Sequence, residues 1–244
     1  MCKNINISHY FNQLTSTNDK LASILDNADD FTLVYTFNQT EGRGYNENKW
    51  ISEPNKNLTF SFLLNLDEMT ENLVYLNFWV INNLHIFFAT NYLVNNELYI
   101  KWPNDLILNK SKIAGVLIEN KIQKNKLKSI IGIGINVNQI NFNQLPNASS
   151  IFNETGIELE LEKLLFDLID FFKLKYKLLF KNNESLLSYY NNFLFKKNKI
   201  ACFQKDNHNF NAIIKSVNKN GDLELIDENH KLIRFKHKEV KLLF

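Results

Sequence analysis

From Asn72 to Asn96 the chain carries no Asp, Glu, Lys or Arg. A run of that length has two homes: the hydrocarbon of a bilayer or the interior of a folded protein. Its interruptions decide between them. Asn77, Asn82, Asn83, His85 and Asn91 would each place a polar group in lipid, whereas in a protein interior each can find a hydrogen-bond partner or reach water. The run predicts a buried core helix and a fold large enough to surround it. A length of 244 residues with 45% hydrophobic content supplies that core and excludes a disordered chain. Met1 to Tyr10 shows no apolar stretch behind a basic start, so no secretory signal is read. Cys2 and Cys202 lie too far apart for a CxxC site, and two cysteines make no disulfide framework; a reducing, cytoplasmic setting is expected. Net charge is +2 with Lys and Arg scattered, so neither nucleic acid nor membrane is an expected partner.

Elsewhere the periodicity predicts a mixed α+β chain. Thr15 to Asn18 are N-cap residues before Leu21, Ile24 and Leu25, which fall on one helical face. Strands are predicted at Phe31–Phe37, Leu58–Leu64, Leu98–Trp102, Lys112–Glu119 and Ser129–Val137. An amphipathic helix follows through Leu161, Leu164, Leu165, Leu168, Ile169 and Phe172, ended by polar residues at Asn182–Glu184. From about Lys196 short apolar runs at Ile200–Phe203, Phe210–Val217, Leu223–Ile226, Leu232–Phe235 and Val240–Leu243 predict a small all-β module, with Asn220-Gly221 read as a type I′ hairpin turn. Such a module buries little alone and should pack on its neighbour. Two domains are expected, 1–190 and 195–244.

Four segments carry chemistry. Ser16-Thr17-Asn18 gathers two hydroxyls and an amide at a helix start; alone, it would be a capping cluster. Gln39-Thr40-Glu41-Gly42-Arg43-Gly44-Tyr45, followed by Lys49-Trp50, flanks a guanidinium with glycines that let backbone approach a ligand. It lacks the third glycine and the following helix of a dinucleotide fingerprint. Lys101-Trp102-Pro103-Asn104-Asp105 reads as a proline-fixed turn with Asp105 available as an orienting or metal-directed carboxylate, and Lys112 opens an apolar strand beside Ala114 and Gly115. In Ile131-Gly132-Ile133-Gly134-Ile135-Asn136, alternate glycines strip one strand face, making space for a flat group beside Asn136. The five histidines show no metal-ligand spacing.

Taken in this order, the segments resemble the biotin protein ligases, also called biotin-[acetyl-CoA carboxylase] ligases, over nearly the whole chain. The resemblance implies an α+β catalytic domain with a mixed β-sheet, followed by a small SH3-like β-barrel. It implies ATP-dependent activation of biotin to biotinyl-5′-AMP and transfer to a lysine of a biotin carboxyl carrier protein, an acetyl-CoA carboxylase subunit or similar, with Mg²⁺ accompanying ATP. It implies that Ser16, Thr17, Asn18, Gln39 and Gly115 hold biotin, that Arg43, Gly44 and Tyr45 close over it, and that Lys112 contacts its activated carboxylate. Arg43, Trp50, Asn104, Asp105, Lys112 and Asn136 fall to ATP or the adenylate, Asp105 also to Mg²⁺. Arg43 and Lys112 become the expected catalytic pair, converging on one anionic pocket.

Two departures qualify the resemblance. Too short a segment precedes Ser16 for the winged helix-turn-helix that some bacterial members carry, so a monofunctional ligase is expected. Tyr45 stands where members commonly have a basic or polar residue, which implies looser retention of the adenylate. Lipoate or octanoate transferases are the nearest rival, yet their Arg-Arg, Gly-Gly-Gly and His string is missing; a non-catalytic ligand-binding protein is the other. The oligomeric state stays open, a homodimer included.

Overall fold

The computed structural model describes residues 8–45, 48–66, 73–123, 126–143, 145–179 and 181–244. In chain order its strands are β1 (Ser8–Tyr10), β2 (Leu33–Thr36), β3 (Gly42–Arg43), β4 (Lys49–Trp50), β5 (Leu58–Leu66), β6 (Leu98–Lys101), β7 (Asp105–Leu108), β8 (Ser111–Gln123), β9 (Lys126–Ile135), β10 (Ile200–Lys205), β11 (His208–Val217), β12 (Leu223–Ile226), β13 (Leu232–Phe235) and β14 (Lys241–Leu243). The α-helices are α1 (Thr17–Ala22), α2 (Leu73–Asn91), α3 (Ile151–Thr155), α4 (Leu161–Tyr176) and α5 (Asn183–Asn192). These elements form two compact units, Met1–Glu71 with Ser111–Lys177, and Asn72–Lys110 with Leu178–Phe244.

The first unit is built on strands in the order β1-β2-β5-β9-β8, parallel between β1 and β2 and antiparallel thereafter. Alternation of side chains gives this sheet two different faces. Phe60, Phe62 and Leu64 of β5 and Ile131, Ile133 and Ile135 of β9 are all buried. The apolar stripe of α4 covers that face, with Phe172 5.3 Å from Phe62 between ring centroids. Each such aromatic or branched side chain contributes about 1.5–3 kcal/mol on burial. On the opposite face Leu63 and Ile130 join Leu21, Leu25, Ala28 and Val34 in one apolar cluster, which seats α1. Beyond that cluster the same face offers Ser61 on β5 and Gly132 and Gly134 on β9, and there the polar groups collect.

The second unit holds α2, the charge-free run. It is long and apolar enough to span a membrane, and two thirds of its apolar window is buried inside the protein. Its amide nitrogens are satisfied by protein: Asn77 Nδ2 donates to Pro103 O at 3.0 Å, Asn82 Nδ2 to Leu186 O at 2.9 Å, and Asn83 Nδ2 to Trp79 O at 2.7 Å, while Asn82 Oδ1 is buried with no partner among the described residues. His85 Nε2 lies 3.0 Å from Leu98 O and its Nδ1 2.9 Å from Tyr189 Oη, an arrangement that suits the neutral ring protonated at Nε2. Burial holds its pKa below the ordinary histidine value. The Trp102-Pro103-Asn104 turn joins β6 to β7, and Asp105 pairs across it with Lys101 as a strand residue.

Two expectations need correction. Asn182 does not close a long helix: α4 stops at Tyr176, and the Asn182 Oδ1 accepts from Ser185 N at 2.9 Å as the N-cap of α5. The same amide chemistry that discourages helix interiors starts helices. At Asn220-Gly221 only Gly221 has positive φ, +85°, so the turn is not type I′. Asn218 Oδ1 accepts from the amides of Asn220 and Asp222, and this side-chain turn sets the loop instead.

The C-terminal strands form an antiparallel sheet in the order β13-β12-β11-β10-β14, with a register shift between Ile214 and Ser216. The module packs within the second unit: Asn191 exchanges two hydrogen bonds with Val217, and Trp102 Nε1 donates to Gly221 O at 2.9 Å.

Candidate functional site

Along β9 two alternate glycines meet two side chains from elsewhere in the first unit. A Cβ on Gly132 would lie 2.2 Å from Asn18 Oδ1, and one on Gly134 would lie 2.4 Å from Trp50 Cε2. Asn136 comes next. The space read in the sequence as room for a flat ligand group is therefore taken, at Gly134, by the protein's own indole. At about 3.3 Å per residue the stretch from Gly132 to Asn136 runs about 13 Å, long enough for an extended ligand.

At the Gly132 end, α1 supplies the donors and acceptors. Ser16 Oγ accepts from Asp19 N at 3.3 Å, a capping role. Thr17 N donates to Gln39 Oε1 at 2.9 Å, and Gln39 Nε2 lies against Gly42, where a Cβ would approach to 2.6 Å. Asn18 Nδ2 donates to Glu119 Oε2 at 2.6 Å, and Ser61 Oγ lies 2.6 Å from Asn18 Oδ1 and 2.7 Å from Thr17 Oγ1. Arg43 Nη2 donates to Asp19 Oδ1 at 2.6 Å and to both oxygens of Glu119 at 3.2 and 3.3 Å. Burial and the nearby Glu119 charge push the Tyr45 hydroxyl pKa up.

At the other end, Gly42 pairs with Trp50 in the short β3–β4 ladder, so one hairpin carries both Arg43 and the indole. Lys112 Nζ stands 5.5 Å from the Trp50 ring centroid, a cation–π distance. Its backbone is fixed by Asn147 and Ser149: Lys112 N donates to Asn147 O at 2.8 Å and Lys112 O accepts from Ser149 N at 3.0 Å. Asn136 N donates to Ile113 O and its Nδ2 to Ser149 O at 3.0 Å. Its Oδ1 and the Trp50 Nε1 are buried with no hydrogen-bond partner among the described residues. A buried acceptor and a buried donor left in this state are sites for a ligand's polar atoms, because leaving them unmade costs about 1–3 kcal/mol each.

The structure thus gathers Ser16, Thr17, Asn18, Gln39, Arg43, Tyr45, Trp50, Lys112 and Asn136 in one unit, with Gly44 in the hairpin and Gly115 opposite Gly134 across the β8–β9 ladder. Arg43 and Lys112 do not point at a common spot. The guanidinium faces Glu119, and the ammonium faces Trp50, at positions seven residues apart on β8. Asn104 and Asp105 belong to the second unit, where both are buried and Asp105 Oδ2 lies 3.3 Å from Lys101 Nζ. A carboxylate already neutralised by lysine is a poor metal ligand, and the described residues contain no group of three His, Cys, Asp or Glu that could hold an ion. The donor set does not fit a protein-held Mg²⁺.

Glu119 and Ser61 were not legible as site residues. The one signal was parity: on a period-two strand Glu119 shares a face with Gly115, so a charge was being placed on the face the glycines keep open.

The unit is a mixed sheet with one helix-covered face and, on the other, a polar, glycine-floored patch bordered by a helix start and a Gly-Arg-Gly hairpin. The chain belongs to the Biotin/lipoate A/B protein ligase family, whose model matches residues 9–136. It is 32% identical over 132 residues to the bifunctional ligase/repressor BirA of Bacillus subtilis, covering 53% of this chain and 40% of that one. It is 27% identical over 195 residues to the biotin–protein ligase of Schizosaccharomyces pombe, covering 69% and 30%. The matches span well under half the length of these curated relatives. In fold it is similar to the Aquifex aeolicus biotin protein ligase solved with biotin and ATP, with TM-score 0.76, 23% identity and coverage of 97% and 98%. It is also similar to the Leishmania major biotin protein ligase solved with biotinyl-5-AMP, with TM-score 0.61, 22% identity and coverage of 94% and 98%.

Proposed function

We propose that this protein is a biotin protein ligase that activates biotin with ATP and transfers the biotinyl group to a lysine of a biotin carboxyl carrier protein. The observation that carries the reading is the Trp50 indole seated on Gly134 beside Lys112, with the orphaned Trp50 Nε1 and Asn136 Oδ1 at the same end of the β9 rail. An adenine brings both a donor and acceptors to such a place, and Asn is suited to its edge. The other end, with Thr17, Asn18, Gln39 and Glu119, offers fixed polar groups to the head of the second substrate.

In the first step a biotin carboxylate oxygen bonds to the α-phosphorus and pyrophosphate leaves. Two unit negative charges brought to about 4 Å repel by roughly 4 kcal/mol at an effective dielectric near 20, about three decades of rate. Lys112 is the cation placed to offset this at the nucleotide end, and Arg43 the one that the hairpin can deliver. Mg²⁺ would arrive on the phosphates of ATP, without a protein cage. In the second step the acceptor lysine amine, deprotonated, bonds to the acyl carbon and AMP leaves. The adenylate is a mixed anhydride, so the β3–β4 hairpin must keep water off it between steps.

The SH3-like assignment of 195–244 and the catalytic assignment of 1–190 form part of this proposal, as does a cytoplasmic setting. Incubation with ATP, labelled biotin and a purified carrier domain tests it. Label should appear on the carrier lysine only when ATP is present. Transfer of octanoate or lipoate in place of biotin would favour the sister activity, and no transfer of any acyl group would refute both.

A further inference from the structure

The side chain of Glu119, on β8, is where the polar groups of the first unit meet, and no motif names it. It accepts from Asn18 Nδ2 at 2.6 Å and from Arg43 Nη2 at 3.2 and 3.3 Å. The direction of the buried part of this network follows from valence. An ionised carboxylate has no proton to give, so the Asn18 amide turns its nitrogen toward Glu119 and its oxygen toward Ser61. That oxygen can only accept, and Ser61 Oγ stands 2.6 Å from it, so the single proton of Ser61 is committed there. Ser61 Oγ also lies 2.7 Å from Thr17 Oγ1. With its own proton spent, Ser61 must receive the proton of Thr17. Ser61 is fully buried and Thr17 and Asn18 are each 4% exposed, so bulk water does not reset the order.

We infer that Glu119 is a positioning residue that fixes one hydrogen-bond direction through Asn18 and Ser61 and leaves the Thr17 hydroxyl oxygen as an acceptor only. The inference rests on the proposed biotin ligase reading and deepens it into specificity. A ligand group met at Thr17 must then bring an N–H or O–H. The cyclic urea of biotin does so; the dithiolane of a lipoyl group and the methylene chain of an octanoyl group do not. A site whose buried polar groups are left unpaired rejects an analogue far more strongly than one lacking only apolar contact.

The charge and the direction can be separated by substitution. Glu119→Gln keeps an oxygen that accepts from Asn18 but loses the charge on Arg43; Glu119→Met loses both. In biotin-dependent ATP–pyrophosphate exchange, Glu119→Met should raise the KM for biotin by about tenfold or more, the loss of one buried hydrogen-bond chain, with kcat within about threefold. Glu119→Gln, which keeps an acceptor for Asn18 but loses the charge, should raise that KM by no more than about a third of the Glu119→Met increase. Equal KM increases in the two variants, or none in Glu119→Met, would overturn the inference. Ser61→Ala cuts the chain in its middle and carries the same expected KM increase, so a poorly folded Glu119→Met leaves the test intact. A second measurement needs no activity. Glu119 and Ser61 are linked through Asn18, which bonds to both, so the drop in unfolding midpoint of the double variant should be smaller than the summed drops of the singles; additivity would overturn the relay. A wild-type protein that fails to exchange pyrophosphate overturns the parent reading, and the stability cycle then decides the relay by itself.

Discussion

Gly134→Ala is the sharpest test of how the site is built. The added Cβ would stand 2.4, 2.6 and 2.9 Å from three atoms of the Trp50 ring, where ordinary contact begins at 3.4 Å, so one partner must withdraw by about 1 Å. The strand cannot, because Gly134 is paired on one side with Thr59 and on the other with Gly115. The indole can, because it hangs from a two-residue strand whose partner is Gly42. The substitution should therefore move Trp50 and spare the fold. A misplacement of about 1 Å at a positioning group costs on the order of 10²-fold in rate, about 2.7 kcal/mol in kcat/KM. Biotin-dependent pyrophosphate exchange measures the loss, and a changed tryptophan emission with an unfolding midpoint within a few degrees of wild type locates it at the indole. Exchange within threefold of wild type in a folded Gly134→Ala protein would refute the close approach as the organising feature.

Lys112→Ala should abolish most adenylate formation while the unfolding midpoint stays near wild type; near-normal pyrophosphate release would remove Lys112 from its role. Asn136→Ala should raise the KM for ATP by about tenfold, the value of one buried hydrogen bond, and leave biotin binding measured by calorimetry unchanged; an equal effect on both ligands would disprove an adenine contact. Tyr45→Arg should lower biotinylation of bystander proteins during turnover, read by mass spectrometry, and no difference from wild type would show that Tyr45 holds the adenylate as well as a cation does. Burial lowers the His85 pKa, so its contribution to stability is fully present above the unfolded value near 6.5 and is lost as pH falls. Between pH 6.5 and 5 the wild type should lose more of its unfolding midpoint than His85→Gln, and parallel curves would contradict the assignment.

What could be read in advance was local or periodic. The strands at Leu223–Ile226 and Leu232–Phe235 lie where the apolar runs put them, and the Asn-studded run at 73–91 is the buried helix its missing charges required. The Ile-Gly alternation announced two unlike faces on β9. What filled the open face could not be read: Asn18 reaches Gly132 across more than a hundred residues and Trp50 reaches Gly134 across more than eighty, and no spacing encodes such encounters. Glu119 was invisible for the same reason. Its partner Asn18 is 101 residues away, and until that helix is folded onto β8 a glutamate late in a strand reads as one more solvated charge. Asn182 misled differently, because an amide before a helix and an amide after one look alike until the backbone chooses.

The distances and burials together divide the site into a fixed half and an exchangeable half. Arg43 is 49% exposed, and its carboxylate partners Asp19 and Glu119 are 55% and 35% exposed; ion pairs in that setting are worth about 0.2–1 kcal/mol each. A ligand anion enclosed beside the guanidinium interacts by roughly 4 kcal/mol at 4 Å once water is thinned to an effective dielectric near 20. On the proposed reading, the exchange of two surface carboxylates for one enclosed phosphate or carboxylate runs toward the ligand where the ligand itself excludes water and lowers the local dielectric. Asn18, Ser61 and Thr17 cannot take part in that exchange, because each is buried and, on the direction inferred above, both hydroxyl protons of their chain are committed. On the proposed reading the buried half selects the head group and the exposed half commits its charge to the ligand's anionic end.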